Sequence, residues 1–359
     1  MSLTREQVIA ALRTVQDPEL FKDIVTLNMV KDVRVEGSNV TVHVELTTPA
    51  CPLKETIKRD VENALKRVGA QSVTVELSAN TRGATGTPRS DILPQVKNVI
   101  AIGAGKGGVG KSTIAVNVAV GLARSGASVG LMDGDIYGPS MPTMLGLRGA
   151  QQQVRGAKLI PFHVHGIHAM SIGMMPGVDA EKPLIWRGPM AHGAFKQLLA
   201  DSTEWPALDY LVVDLPPGTG DVPLTLCQLL PLSGAVIVAT PQQVALDDAV
   251  RALRMFQTLG APILGMIENM SYFVGPDGAE YDVFGRGGAQ KEAQRLNVPY
   301  LGELPMFPEL RVNSDAGTPI KNFEGNPKLR AALEAIVQNL AGQISVRNLR
   351  SAGPELTIE

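Results

Sequence analysis

Hydrophobic and polar positions follow two different rules in the two parts of this chain. Over residues 1–78 the signal is alternation: Val40, Val42 and Val44 are spaced by Thr41, His43 and Glu45, the period of a half-buried strand. An amphipathic helix is expected to open at Thr4, with Gln7 placed to complete a capping box. A second helix is expected to follow Cys51-Pro52 and end at Gly69, and Ser72 to Leu77 to form a further strand. Together these predict a small α+β domain. From Val96 the strands lose their polar positions. Runs such as VIAIG, SVGLM, YLVVDL, AVIVAT and PILGMI alternate with helical stretches, which predicts βαβ units around a mostly parallel sheet buried on both faces. Residues 79–95, rich in Gly, Ser, Thr and Pro and without apolar period, read as a linker. The second domain spans 96–345, and 346–359 read as a polar tail.

Composition narrows the class. A chain of 359 residues divides naturally into two domains, and 44% hydrophobic with 19% charged residues excludes both disorder and a membrane protein. No apolar run approaches the roughly 20 residues that a membrane span needs. The start, MSLTREQ, lacks a signal-peptide apolar core, so a cytoplasmic protein with no membrane partner is expected. A net charge of −2 argues against a dedicated nucleic-acid binder. The two cysteines, Cys51 and Cys227, fall in different domains, which excludes a disulfide framework and a self-contained four-thiolate site.

The strongest chemical signal is GKGGVGKST. A short apolar strand (98–103) leads into Gly105, Lys106, Gly107, Gly108, Val109 and Gly110, and a helix with Ile114, Val118 and Leu122 on one face begins at Lys111. This strand, glycine-rich turn and helix form a P-loop, in which backbone N–H groups and the helix N-terminus wrap around phosphate oxygens. Lys111 is expected on the β- and γ-phosphates, and Ser112, followed by Thr113, to place its hydroxyl on Mg²⁺. The fold class is therefore α/β, a P-loop NTPase preceded by a small α+β domain. Asp133, Asp135 and Asp214 end strands, where open α/β sheets bind ligands; a helix-capping role is the alternative for each, foremost for Asp133. Glu268-Asn269-Met270-Ser271 lacks the Asn-Lys-x-Asp of guanine-specific proteins, so adenine is the expected base.

The second lysine of the loop, Lys106, makes it resemble the deviant Walker A motif of the MinD/ParA/nitrogenase-iron-protein class. That resemblance implies a homodimer in which Lys106 reaches the partner's nucleotide. It also implies Asp135 as the residue that orients the attacking water and approaches the metal, Asp214 as the holder of metal-bound water, and Asn269 as the side-chain amide that partners adenine. Lys106, Lys111 and Asp135 are thus the expected catalytic residues of a Mg-dependent ATPase. Further segments, DGDIYGPSMP (133–142), WRGPM (186–190), DLPPGTGD (214–221), ENMSYF (268–273), FGRGGA (284–289) and LGELP (301–305), resemble the Mrp/ApbC iron-sulfur cluster carriers. The first domain looks like the small domain that precedes the ATPase in many of them. The resemblance implies delivery of iron-sulfur clusters to apoprotein clients, in contact with assembly proteins.

One departure bears on that function. Carriers of this kind usually have Cys-x-x-Cys just after ENMS, and here those positions are Gly275 and Gly278 in a hairpin-tip sequence, with Asp277, Glu280 and Asp282 as hard-oxygen neighbours. Cys51, ahead of a helix, matches the cysteine of the small assembly domain and is the candidate cluster ligand; a small buried residue at a turn is the alternative. Cys227 reads as core. His163, His165 and His168 read as a partly exposed strand, with His163 and His165 on one face, and the methionines of MSIGMMPG as packing residues. Two other readings remain: a MinD/ParA-like positioning switch, which the acidic AGPELTIE terminus does not favour, and a diverged scaffold that no longer binds a cluster.

Overall fold

A computed structural model describes residues 3–18, 22–51, 53–81, 83, 92–175, 193–275 and 277–351; WRGPM and the terminus AGPELTIE lie outside the described residues. The first helix, α1 (Arg5–Leu12), opens as its sequence dictates. Thr4 Oγ1 accepts from the Gln7 amide at 3.3 Å, and Gln7 Oε1 accepts from the Thr4 amide at 3.0 Å. Strand β1 (Val30–Glu36) pairs antiparallel with β2 (Asn39–Leu46), and α2 (Lys54–Arg67) crosses over so that β3 (Ser72–Ala79) pairs parallel with β2. Val40, Val42 and Val44 point into a core with Val8, Leu12, Ile57, Val61 and Leu65. The alternating residues Thr41, His43 and Glu45 are half-buried on the other face.

The larger unit is built on β4 (Val96–Gly103), β5 (Val129–Asp133), β6 (Phe162–Val164), β7 (Ile167–Ser171), β8 (Leu208–Asp214), β9 (Gly234–Ala239), β10 (Ile263–Val274), β11 (Glu280–Tyr281) and β12 (Tyr300–Met306). They form one sheet in the order β6-β7-β5-β8-β4-β9-β10-β11, with β12 also on β10. All pairings are parallel except those of the two end hairpins, β6 with β7 and β10 with β11. The central strands need apolar residues at every position because both faces are covered. Ile100 and Ile102 pack under α3 (Lys111–Arg124) and α9 (Pro327–Ser351), whereas Val99 and Ala101 pack on the face of α6 (Gln243–Thr258). Between these helices in the chain lie α4 (Met141–Met144) and α5 (Asp221–Leu229); α7 (Gly288–Leu296) and α8 (Pro308–Asp315) come before α9.

One feature departs from expectation. Helix α9 does not stop near Val346 but runs to Ser351, because Asn348 turns back onto the sheet and donates to Asn98 Oδ1 at 2.9 Å. The small domain also touches the large one through the loop after β2. Thr48 Oγ1 lies 2.8 Å from the Tyr210 hydroxyl near the start of β8, and Ala50 is buried in the large-domain core.

Candidate nucleotide site

The strand order makes β4 the centre of the sheet, and its carboxyl end carries the glycine loop into α3, with the ends of β5 and β8 alongside. Two loop glycines have specific reasons. A Cβ on Gly105 would run into the backbone of Asp248 on α6, and Gly110 sits at φ 81°, where a Cβ would meet the Asn269 amide. Lys111, Ser112, Asp133, Asp135 and Asp214 thus come to one end of the sheet.

Their electrostatics are those of a site short of positive charge. Lys111, 6% exposed, donates from Nζ to Asp214 Oδ1 at 2.6 Å and lies 3.4 Å from Ser112 Oγ. Asp214 is fully buried, and among the described residues no hydrogen bond reaches its Oδ2. Asp133, also fully buried, accepts from Ser171 Oγ at 2.9 Å and from the amides of Asp135 at 3.2 Å and Met141 at 3.3 Å. Burial, and then the neighbouring charge of Asp214, push the Asp133 carboxyl up to about 7. Burial also raises Asp214 and the half-buried Asp135, with Lys111 pulling both the other way. One cation, Lys111, faces three carboxyl groups that all ionise less readily than usual, a shortage of positive charge that a divalent ion would relieve. The oxygen donors Ser112, Asp135 and Asp214, with Oδ2 of Asp214 unsatisfied, suit Mg²⁺, which takes most of its ligands from phosphate and water. Lys106 is half-buried on the outer part of the loop.

Asn269 is 3% exposed and donates Nδ2 to Val109 O at 2.8 Å, which ties it to the phosphate loop. Its neighbour Glu268, which sequence reasoning left without a role, accepts from the amides of Gly287 and Ala289, each at 2.7 Å, and caps α7. Beside Gly110, Thr113 and Asn269 opens a cavity of about 640 Å³, walled by Met270, Phe273, Met306, Phe307, Pro308 and Leu310. Sequence reasoning missed these residues. Their signal was Pro308 as the first residue of a helix directly after an apolar strand end.

The other candidates are not brought to this site. Cys51 is half-buried at the interdomain loop, and Cys227 lies on α5, packed against the core, its thiol pushed up to about 11 by burial. Gly275 and Gly278 form a hairpin tip: the Gly278 amide donates to Gly275 O at 2.9 Å, and the exposed Asp277 accepts from the Ala279 amide at 3.0 Å. Glu280 is held by Arg286 at 2.7 Å, so these carboxylates are already engaged. His163 and His168 face one another across β6 and β7 with ring centroids 4.8 Å apart. His165 is not on their strand. At φ 51° in the turn, it donates from Nε2 to Gly317 O at 2.9 Å, so the three rings do not form a common metal site. Met170 and Met174 are buried as packing residues. Among the described residues there is no group of three or more His, Cys, Asp or Glu able to hold a metal ion, and no helix long and apolar enough to cross a membrane.

The family model of NUBPL iron-transfer P-loop NTPases matches residues 95–341, and that of iron-sulfur cluster assembly proteins matches residues 5–77. The chain is 51% identical over 354 residues to an iron-sulfur cluster carrier protein of Synechocystis sp., covering 97% of this chain and 99% of that protein. It is 48% identical over 356 residues to one of Deinococcus radiodurans, covering 98% and 99%. Among solved structures, a nucleotide-binding protein of Archaeoglobus fulgidus in complex with ADP is similar, with TM-score 0.56 and 36% identity, over 64% of this chain and 90% of that one.

Proposed function

Since the chain belongs to the iron-sulfur cluster carrier family of P-loop NTPases, we propose that it binds and hydrolyses Mg-ATP as a homodimer and carries iron-sulfur clusters as cargo to apoproteins. The observation that carries the ATPase reading is the convergence of Lys111, Ser112, Asp135 and Asp214 at the carboxyl end of the central strands, with Lys111 paired to Asp214 at 2.6 Å.

In this reading the loop amides and Lys111 bind the triphosphate, and Lys111 exchanges Asp214 for phosphate oxygens when nucleotide enters. Ser112, Asp135 and Asp214 would hold Mg²⁺, which supplies charge neutralisation at the phosphates when bound. Asp135 orients the water that attacks the γ-phosphorus in line, giving ADP and phosphate. Asp133 acts indirectly, tying the Asp135–Met141 loop to β5 and β7 through its bonds to both amides and to Ser171. Lys106 neutralises developing charge on the partner's nucleotide. The apolar cavity takes the nucleoside, with Asn269 holding the loop beside it.

The cargo cannot be held as four hairpin thiolates, because Gly275 and Gly278 have none. Cys51 is the candidate ligand, completed by added thiols or by cysteines of the protein that gives or receives the cluster. The reading is tested by measuring ATP turnover and the transfer of a reconstituted cluster to an apoprotein, with and without ATP. Turnover without transfer would leave an ATPase of the family scaffold and remove the carrier function.

A further inference from the structure

Helix α8 forms the outer wall of the cavity beside the phosphate loop, with Leu310 and Ser314 lining it. It lies far along the chain from α3, so its distance from the phosphates has to be set by contacts across the core. A line of three side-chain amides makes the connection. Asn117 on α3 donates Nδ2 to Thr113 O at 2.8 Å, Asn322 donates to Asn117 Oδ1 at 2.8 Å, and Asn313 on α8 donates to Asn322 Oδ1 at 2.9 Å. Asn117 and Asn322 are both 0% exposed.

The orientation of every amide follows from its partners. A backbone carbonyl can only accept, so Asn117 must turn its nitrogen to Thr113 and its oxygen to Asn322, and the same order continues to Asn313. The relay begins at a residue that lines the cavity and ends on the helix that walls it. Its chain neighbours Ile114, Val118 and Phe323 are core residues, so burial alone would be served by apolar side chains at these positions. A satisfied polar network in such a place fixes geometry, because any shift of α8 leaves buried amides without partners. The far end of the same wall is fixed independently by His165, whose Nε2 donates to Gly317 O, two residues beyond α8.

We propose that Asn322, bridging Asn117 and Asn313, is a positioning residue for the nucleoside half of ATP: the relay sets the separation between phosphate loop and α8 so that base and triphosphate are held together. This rests on the reading of the cavity as the nucleoside site. Its test compares binding of Mg-ATP with that of Mg-tripolyphosphate, which has the phosphates but no nucleoside, in wild type, Asn322→Leu and Asn313→Ala. Asn313 is half-buried at the end of the relay, so its truncation keeps the test open if Asn322→Leu fails to fold. The expected result is a loss of ATP affinity of about tenfold in the variants, with tripolyphosphate affinity unchanged. Equal loss for both ligands, or wild-type preference for ATP in both variants, would overturn the positioning role. A wild type that binds both ligands equally would instead overturn the nucleoside reading of the cavity, and the proposal with it.

Discussion

Lys111 Nζ lies 2.6 Å from Asp214 Oδ1, so the cation at the head of the phosphate helix is held by a fully buried carboxylate at the end of the neighbouring strand. Each group makes the other's burial tolerable. The pair also keeps the lysine extended at the position where phosphate oxygens would arrive, at the cost of an exchange on binding.

Removing one partner should therefore have two separable effects. Lys111→Ala is expected to abolish nucleotide binding and to lower the stability of the nucleotide-free protein by about 2–4 kcal/mol, since Asp214 is left buried without its cation. Adding Asp214→Asn should recover much of that stability and none of the activity. Urea unfolding and ATP binding on the same three proteins check this; near-normal ATPase in Lys111→Ala would remove the phosphate-site assignment.

Asp133 gives a pH signature. Folded, it keeps its proton to about pH 7, whereas its unfolded value is 3.8. Between these values the folded chain binds the extra proton, so this group's contribution to stability is complete below about pH 4 and is lost as pH rises through 7. Asp133→Asn should flatten the fall in stability of the nucleotide-free protein between pH 5 and pH 8, by up to about 1.4 kcal/mol per pH unit. Parallel pH profiles for variant and wild type would show that Asp133 is ionised throughout.

The phosphate loop was legible because glycines, lysine and hydroxyl at fixed spacing leave few other structures open, and the parallel sheet because strands buried on both faces carry no polar positions. The cavity wall was not. Met306, Phe307 and Leu310 are ordinary apolar residues that acquire a role only when β12 and α8 fold back beside the loop. Asn269 stands out in the sequence, whereas its bond to the loop carbonyl of Val109 is a contact across 160 positions that sequence cannot register. Likewise the HVHGIH segment alternates like a strand, yet the chain turns at His165, whose ring has carbonyls to bond. Turn chemistry marks the glycines at the carriers' usual cysteine positions as a hairpin tip, and Gly278 at φ 81° has the backbone that this requires.

Lys106 and Asp135 are expected to serve different sites of a dimer. Each of Lys106→Ala and Asp135→Ala should turn over ATP slowly while binding it nearly as well as wild type. In a mixture, some dimers regain one site with both a water-orienting Asp135 and a trans Lys106, so ATPase activity should exceed the sum of the two variants. Confirmed heterodimers without any recovery would place Lys106 outside the partner's site.

The carrier function is tested most directly by anaerobic reconstitution of wild type and Cys51→Ser with iron, sulfide and glutathione, followed by absorbance and iron counting per chain. In the proposed reading Cys51 is the candidate cargo ligand, while Cys227 is packed against the core on α5. The expected result is a labile cluster on wild type that is absent from Cys51→Ser and passes to an added apoprotein. A stable cluster that survives Cys51→Ser, or no cluster on wild type under any condition, would contradict the account.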